Sequence, residues 1–221
     1  VYGHTEAGRL AYLVLHALQH RGQDSAGIAT YHQGKVLREV GMGLVSEVFY
    51  QENLARLKGS IAVGHVRYTT AGKTNLYDAQ PISVKTINGN LAVAHNGNLI
   101  NADDLRQKLE QEGAIFQAQS DTEVICHLFA RSRHKDMVSC LRDSLEKVRG
   151  AYSLCMMIDD QLVGVRDPNG IRPLFLGKLE HGYVIASEDC SFLLINAKMI
   201  REIEPGEMVV INQEGVKSYD L

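Results

Sequence analysis

The chain has 221 residues, 45% of them apolar and 22% charged, which is enough to bury a core of ordinary size as one domain. Its net charge of −3, with basic and acidic residues interspersed, offers no positive stripe to neutralise phosphates and so excludes nucleic acid as an expected partner. No stretch approaches the roughly 18 apolar residues that span a bilayer, and the amino end lacks a charged-then-apolar signal pattern, so no membrane partner and a soluble, cytoplasmic protein are expected.

From Glu6 to His20 the apolar residues Leu10, Leu13, Val14, Ala17 and Leu18 recur at helical spacing and predict a helix that stops at Gly22. Ala26 to Val40 and Ile61 to Val66 are β-rich, with Gly41-Met42-Gly43 as a strand-end turn. Asn88-Gly89 accepts the positive φ angles of a tight hairpin between the runs 84–87 and 91–94. Asn101 is placed to cap a helix that carries Leu105 and Leu109 and ends at Gly113. Ser120 and Glu123 form a capping-box pattern ahead of Val124, Ile125, Leu128 and Phe129. A third helix is predicted over 136–148, ended by Gly150.

The last third predicts strands at 152–158, 162–166, 174–179, 183–186 and 208–211, with links such as Asp159-Asp160 and His181-Gly182 short enough for antiparallel pairing. Helices between two blocks of antiparallel strands point to a layered α+β fold with two sheets face to face and helices outside. The four cysteines, Cys126, Cys140, Cys155 and Cys190, stand far apart without a C-x-x-C pair and predict reduced, mostly buried thiols.

Three places carry possible chemistry. Arg67, at a strand end before the small-residue run 68–72, suits either a surface salt bridge or a bidentate clamp on a carboxylate. Asn96-Gly97 reads as a further turn or as an oxyanion hole built from a side-chain and a backbone N–H. Asp121, at a helix start, suits the helix dipole or an ammonium ligand. His16 and His20 have i, i+4 spacing but no intervening Glu and no evident third ligand, so no metal site is expected. No nucleophile-elbow motif is present, and the residues by themselves supply an amino-acid site without a nucleophile.

The strings QHRGQDSAGI (19–28), GHVRYTTAG (64–72), AHNGNL (94–99), SDTEV (120–124), GAYS (150–153), DPNGIRPL (167–174) and EPGE (204–207) resemble, in order and across nearly the whole chain, the amidophosphoribosyltransferase family. Gln19-His20 before Arg21 and Tyr68 after Arg67 differ from the spellings of glucosamine-6-phosphate synthase, and Arg21-Gly22-Gln23-Asp24 from that of asparagine synthetase. The resemblance implies a class II glutamine amidotransferase domain over 1–221, folded as the four-layer α/β/β/α sandwich of N-terminal-nucleophile hydrolases. It implies a nucleophilic cysteine about five residues upstream of Val1, whose free α-amine acts as base with a pKa near 8. It also implies that Arg67 holds the glutamine α-carboxylate with help from Thr70, that Asp121 holds the α-ammonium, that Asn96 and Gly97 form the oxyanion hole, and that Arg21 supports the site.

Residues 67–81 would be the loop that closes over glutamine, and DPNGIRPL would be structural. No cofactor is expected in this domain; magnesium, with an iron–sulfur cluster as an open alternative, would belong to the intact enzyme. That enzyme would be a homo-oligomer whose second, phosphoribosyltransferase domain passes ammonia to phosphoribosylpyrophosphate in the first step of purine biosynthesis. As it stands the chain is expected to be inactive without its cysteine. The alternatives are a glutamine-binding regulatory homologue and a glutaminase serving another acceptor.

Overall fold

The computed structural model of the chain describes residues 1–68 and 75–221. Helix α1 (Ala7–Ala17) and a 3-10 turn (Gln19–Arg21) lead into the hairpin β1 (Ser25–His32) and β2 (Lys35–Met42). Two four-residue helices, α2 (Val45–Val48) and α3 (Gln51–Leu54), precede β3 (Ala62–Arg67). The second hairpin, β4 (Ile82–Thr86) and β5 (Gly89–Leu99), is tight as predicted but turns through Ile87 and Asn88, with Gly89 paired to Thr86; of the predicted turn pair only Gly89 has a positive φ, +123°. Then follow α4 (Ala102–Gln111), α5 (Thr122–Arg131) and α6 (Met137–Leu145), and the strands β6 (Gly150–Ile158), β7 (Gln161–Arg166), β8 (Phe175–Leu179), β9 (Gly182–Ala186), β10 (Lys198–Glu202), β11 (Glu207–Asn212) and β12 (Gly215–Asp220).

One sheet is continuous, in the order β12-β11-β7-β6-β5-β4. Facing it are two three-stranded sheets, β2-β1-β3 and β10-β8-β9. Tyr2 lies between them, bridged antiparallel to Ile61 on one side and to Tyr183 on the other. Alternation along the strands sorts the side chains into layers. On β5, Leu91 and Val93 pack against Val124, Ile125 and Phe129 of α5, whereas Ala92 and Ala94 meet Val63, Leu176 and Ile185 in the core between the sheets. On β3, Val63 faces that inner core while Ala62 and Val66 pack under Ala11, Val14 and Leu15 of α1. The layers are therefore α/β/β/α, as expected.

Several local expectations need correction. The helix predicted over 136–148 ends at Leu145, and Gly150 opens β6 instead of closing the helix, because its amide side is drawn into pairing with Leu99. Ser120 and Glu123 do not form a capping box: the Glu123 carboxylate accepts from the Gln117 and Ala118 N–H groups, tying down the incoming loop. Asn101 stands at the start of α4 but bonds Lys147 O and Arg149 N–H, so it joins two loops and caps nothing. His95-Asn96-Gly97-Asn98 is the last part of β5, paired with β6 through Leu99, and not a turn after a strand.

Candidate active site

The same alternation decides where the site lies. Asn96 shares the inner face of β5 with Ala92 and Ala94, and His65 and Arg67 share the inner face of β3 with Val63, so all three converge at one end of the sandwich. An open cleft there is lined by Arg21, Arg67, Asn96, Gly97 and Asp121, together with His65, His95, Gln80 and Arg172. Five of the six predicted site residues are thus brought together by four separate segments of chain. Thr70 lies outside the described residues, as does the part of the predicted closing loop from 69 to 74.

Asn96 Nδ2 is shielded from solvent and has no hydrogen-bond partner among the described residues. A buried amide donor without a partner is costly unless something enters to accept from it. Gly97 beside it is required by space: a Cβ would sit 2.0 Å from Ala151 O and 2.9 Å from His95 Nε2, and φ is +154°.

Asp121 immediately precedes α5, but its carboxylate does not cap the helix. Its Oδ2 instead accepts from the Leu99 N–H of β5 at 2.9 Å, and its Oδ1 lies 3.4 Å from Thr122 Oγ1 and 3.5 Å from His95 Nδ1. Burial opposes its ionisation, but the hydrogen bonds from His95, Leu99 and Thr122 outweigh it and hold the carboxyl below its ordinary pKa. At neutral pH it is a half-screened anion suited to an ammonium.

Arg67 closes β3, half-buried, with its backbone carbonyl accepting from Asp24 N at 3.0 Å. Gly22 lies against it so closely that a Cβ would come within 2.5 Å of the Arg67 carbonyl carbon, which explains the glycine after Arg21. Arg21 donates to Glu188 Oε1 at 2.6 Å, and His20 Nε2 is 2.8 Å from Glu188 Oε2. Burial opposes ionisation of Glu188, but His20 and Arg21 prevail and lower its pKa.

His65 was not singled out by sequence. Its Nε2 lies 3.1 Å from the backbone carbonyl of His95, an atom that only accepts, so Nε2 carries the proton. Burial lowers its pKa to about 4, leaving a neutral ring whose Nδ1 has no partner among the described residues. Gln80, His95, Thr122, Arg172 and Glu188 were also missed: His95, Thr122 and Arg172 lie inside quoted strings, whereas Gln80 and Glu188 lie outside all of them and are brought to the site by the fold alone.

The cysteines offer no nucleophile. Cys155 is closest to the inner cavity, but burial pushes its thiol up to about 11, and burial pushes Cys126 up to about 12. Cys140 is buried and donates to His134 O, and exposed Cys190 is raised by desolvation and by Glu188. A thiolate, not a thiol, is the attacking form. Among the described residues no group of three or more His, Cys, Asp or Glu side chains could hold a metal ion. In DPNGIRPL, Asp167 is fully buried and accepts from the N–H groups of Asn169, Ile171 and Tyr152, a turn-holding arrangement. Arg172 of the same string reaches the cleft.

Comparison with known proteins gives three results. Residues 65–194 match the glutamine amidotransferase domain family. The chain is 47% identical to an amidophosphoribosyltransferase of Bacillus subtilis over 99% of its own length and 46% of that protein, and 50% identical to the chloroplastic amidophosphoribosyltransferase 2 of Arabidopsis thaliana over 100% and 40%. It superposes on the structure of glutamine phosphoribosylpyrophosphate amidotransferase from B. subtilis, complexed with ADP and GMP, with a TM-score of 0.94 at 45% identity, covering 99% of this chain and 48% of that one. The chain therefore spans about half the length of the relatives it matches.

Proposed function

The chain belongs to the glutamine amidotransferase family, in its amidophosphoribosyltransferase branch, and on that premise we propose that the cleft binds glutamine and releases its amide nitrogen as ammonia. The observation that carries this is the shielded Asn96 Nδ2, without a partner among the described residues, beside Gly97 and lining the same cleft as the ionised Asp121 and as Arg67. Glutamine held with its α-ammonium on Asp121 and its α-carboxylate on Arg67 presents its amide carbonyl to Asn96. A donor in place before the charge develops stabilises the tetrahedral intermediate without reorganisation. Thr70 is assigned to the carboxylate end of the substrate with Arg67.

The nucleophile in this proposal is a cysteine on a segment preceding Val1. Val1 exchanges two backbone hydrogen bonds with Ala62, of 2.8 and 2.9 Å, and Tyr2 two with Tyr183, of 2.8 and 2.9 Å, so the two residues form a strand between β3 and β9. Past Val1 runs a cavity lined by Gly64 and His65 on one side and by Val184, Ile185 and Ala186 on the other, reaching Asn96. An extended segment in the same antiparallel register would follow this track, and a residue about five positions upstream would stand opposite Arg67. There the cysteine's α-amine takes the thiol proton, the thiolate attacks the glutamine amide carbon, the oxyanion forms against Asn96 and Gly97, and the α-ammonium so formed returns the proton to the nitrogen, which leaves as ammonia. Water then cleaves the thioester to give glutamate. Arg21, tethered by Glu188, borders this point.

The ammonia is assigned to phosphoribosylpyrophosphate, on a part of the protein outside these residues, as the names of the relatives indicate; a structural neighbour at 46% identity is described as the allosteric regulatory enzyme of purine biosynthesis. Magnesium and any cluster are assigned to that part, and the oligomer to the whole protein. The test is ammonia release from glutamine by this chain and by a version extended at its amino end with Cys-Gly-Val-Phe-Gly. Release by the extended version alone is expected. An extended chain that folds and binds glutamine without releasing ammonia would instead mark a regulatory domain.

A further inference from the structure

Gln80 falls at the end of the segment 67–81 expected to close over glutamine, but it is 5% exposed and fixed where two halves of the site meet, so it is not part of a moving loop. The β4–β5 register pairs Ile82 with Val93, and its continuation would set Gln80 opposite His95. The backbone does not continue: Pro81 follows, with no N–H to offer. The Gln80 side chain takes over instead, its Oε1 accepting from the His95 N–H at 2.7 Å. That backbone N–H can only donate, which fixes the amide's orientation, so Nε2 must point the other way. It donates to Thr122 Oγ1 at 3.1 Å, at the first residue of α5.

We propose that Gln80 is a positioning residue of this site, whose side-chain amide ties the end of β5 that carries Asn96 and Gly97 to the start of α5 that follows Asp121. The inference rests on the glutamine-binding reading above. A substrate anchored at its ammonium by Asp121 meets Asn96 with its amide carbonyl only if β5 and α5 keep their spacing. Thr122, fully buried, and Ser120, 8% exposed, close the link through a 3.1 Å hydroxyl contact. The Gln80 backbone is clamped in turn: Gly27 of β1 lies so near that a Cβ would fall 2.2 Å from Gln80 O, and Arg38 of β2 donates to Ala79 O and Pro81 O, each at 2.7 Å. With both backbone neighbours fixed, the side chain has one place to reach.

The charged and titratable groups around Gln80 are Asp78 on its own turn, Arg38 on β2, His65 on β3, His95 on β5 and Asp121 before α5. They give the Gln80→Glu variant a distinctive behaviour. An ionised carboxylate still accepts from the His95 N–H but cannot donate to Thr122, whereas a protonated carboxyl does both and reproduces the native pattern. Burial and the neighbouring Asp121 raise such a group's pKa toward neutrality.

Glutamine affinity of the wild type and of Gln80→Glu would be measured by calorimetry between about pH 5 and pH 8, where burial and a like charge set a carboxyl's titration. The variant is expected to bind roughly tenfold or more weakly at the alkaline end, as for a buried donor bond lost, and to approach the wild type at the acid end. A folded variant that matches the wild type throughout, or whose loss does not recover with acid, overturns the proposal. If the variant does not fold, amide exchange in the wild type decides: His95 and Leu99 amides slowing together on adding glutamine supports the link, and Leu99 slowing alone refutes it. A wild type that binds no glutamine would sink the glutaminase reading itself, a different outcome from either.

Discussion

The wall of the cleft built from β5 and α5 differs from the rim built by Arg21 and its neighbours. On the wall, Gln80 is 5% exposed and Thr122 0%, and they are joined by a chain of hydrogen bonds that water does not reach. On the rim, the Arg21 and Glu188 side chains are 28% and 26% exposed, and His20, which shares Glu188, is 56% exposed. An interaction in a water-excluded interior keeps most of its strength, while one at the surface is screened and held loosely. Substitutions of similar chemistry should therefore differ widely in effect according to which side they touch.

The sharpest test of that contrast is Asn96→Ala in the cysteine-extended chain. Loss of one oxyanion donor costs a factor of about 100 to 1000 in rate. Because Nδ2 has no partner among the described residues, removing it should leave thermal stability nearly unchanged. A rate loss below about tenfold would count against the assignment. Arg67→Lys stands next: it keeps the charge but loses the planar fork, and KM for glutamine should rise by roughly tenfold, with a smaller change in kcat. A pure kcat effect would place Arg67 at the reacting carbonyl instead.

How much of this was legible in the sequence follows the same division. The runs that become β3 and the middle of β5 could be read as strands, but not their inner faces: burial along both is continuous or irregular, not alternating, so the sequence did not show that Asn96 and Arg67 point into one cleft. Arg67, Asn96, Gly97 and Asp121 stand in strings whose order carried the family resemblance. Gln80 could not be found: its role depends on the chain leaving the β4 register at Pro81, a tertiary event with no local period. The capping-box pattern at Ser120 misled because Glu123 has a stronger use, accepting two loop N–H groups while buried. Helices α2 and α3 are one turn each and too short to establish a repeat. Strand β10 was missed because it is an edge strand with Met199 and Ile200 about half exposed, so no apolar-in, polar-out alternation marks it.

His65 separates the wall from the rim by pH. A histidine in an unfolded chain takes its proton near pH 6.5, whereas burial holds His65 neutral down to about 4. Between those values the unfolded state binds the extra proton, so the contribution of neutral His65 is intact above about pH 6.5 and is lost as pH falls toward 4. Urea midpoints across this window should therefore decline with acid. His65→Gln, which can keep a donor to His95 O but does not titrate, should flatten the decline; an unchanged slope would assign it to other groups.

Glu188→Gln tests the rim, where the smallest effect is expected. The variant keeps a carbonyl oxygen for Arg21 while removing the charge. Exposed pairs are worth roughly 0–1 kcal/mol, so the rate of ammonia release should change by less than about fivefold and stability should barely move. Because Glu188 is ionised by virtue of His20 and Arg21, raising salt should weaken the native pair toward the variant's behaviour. A loss approaching that of Asn96→Ala would mean that Arg21 is gripped as firmly as Asp121, and that the two sides of the cleft differ in exposure without differing in function.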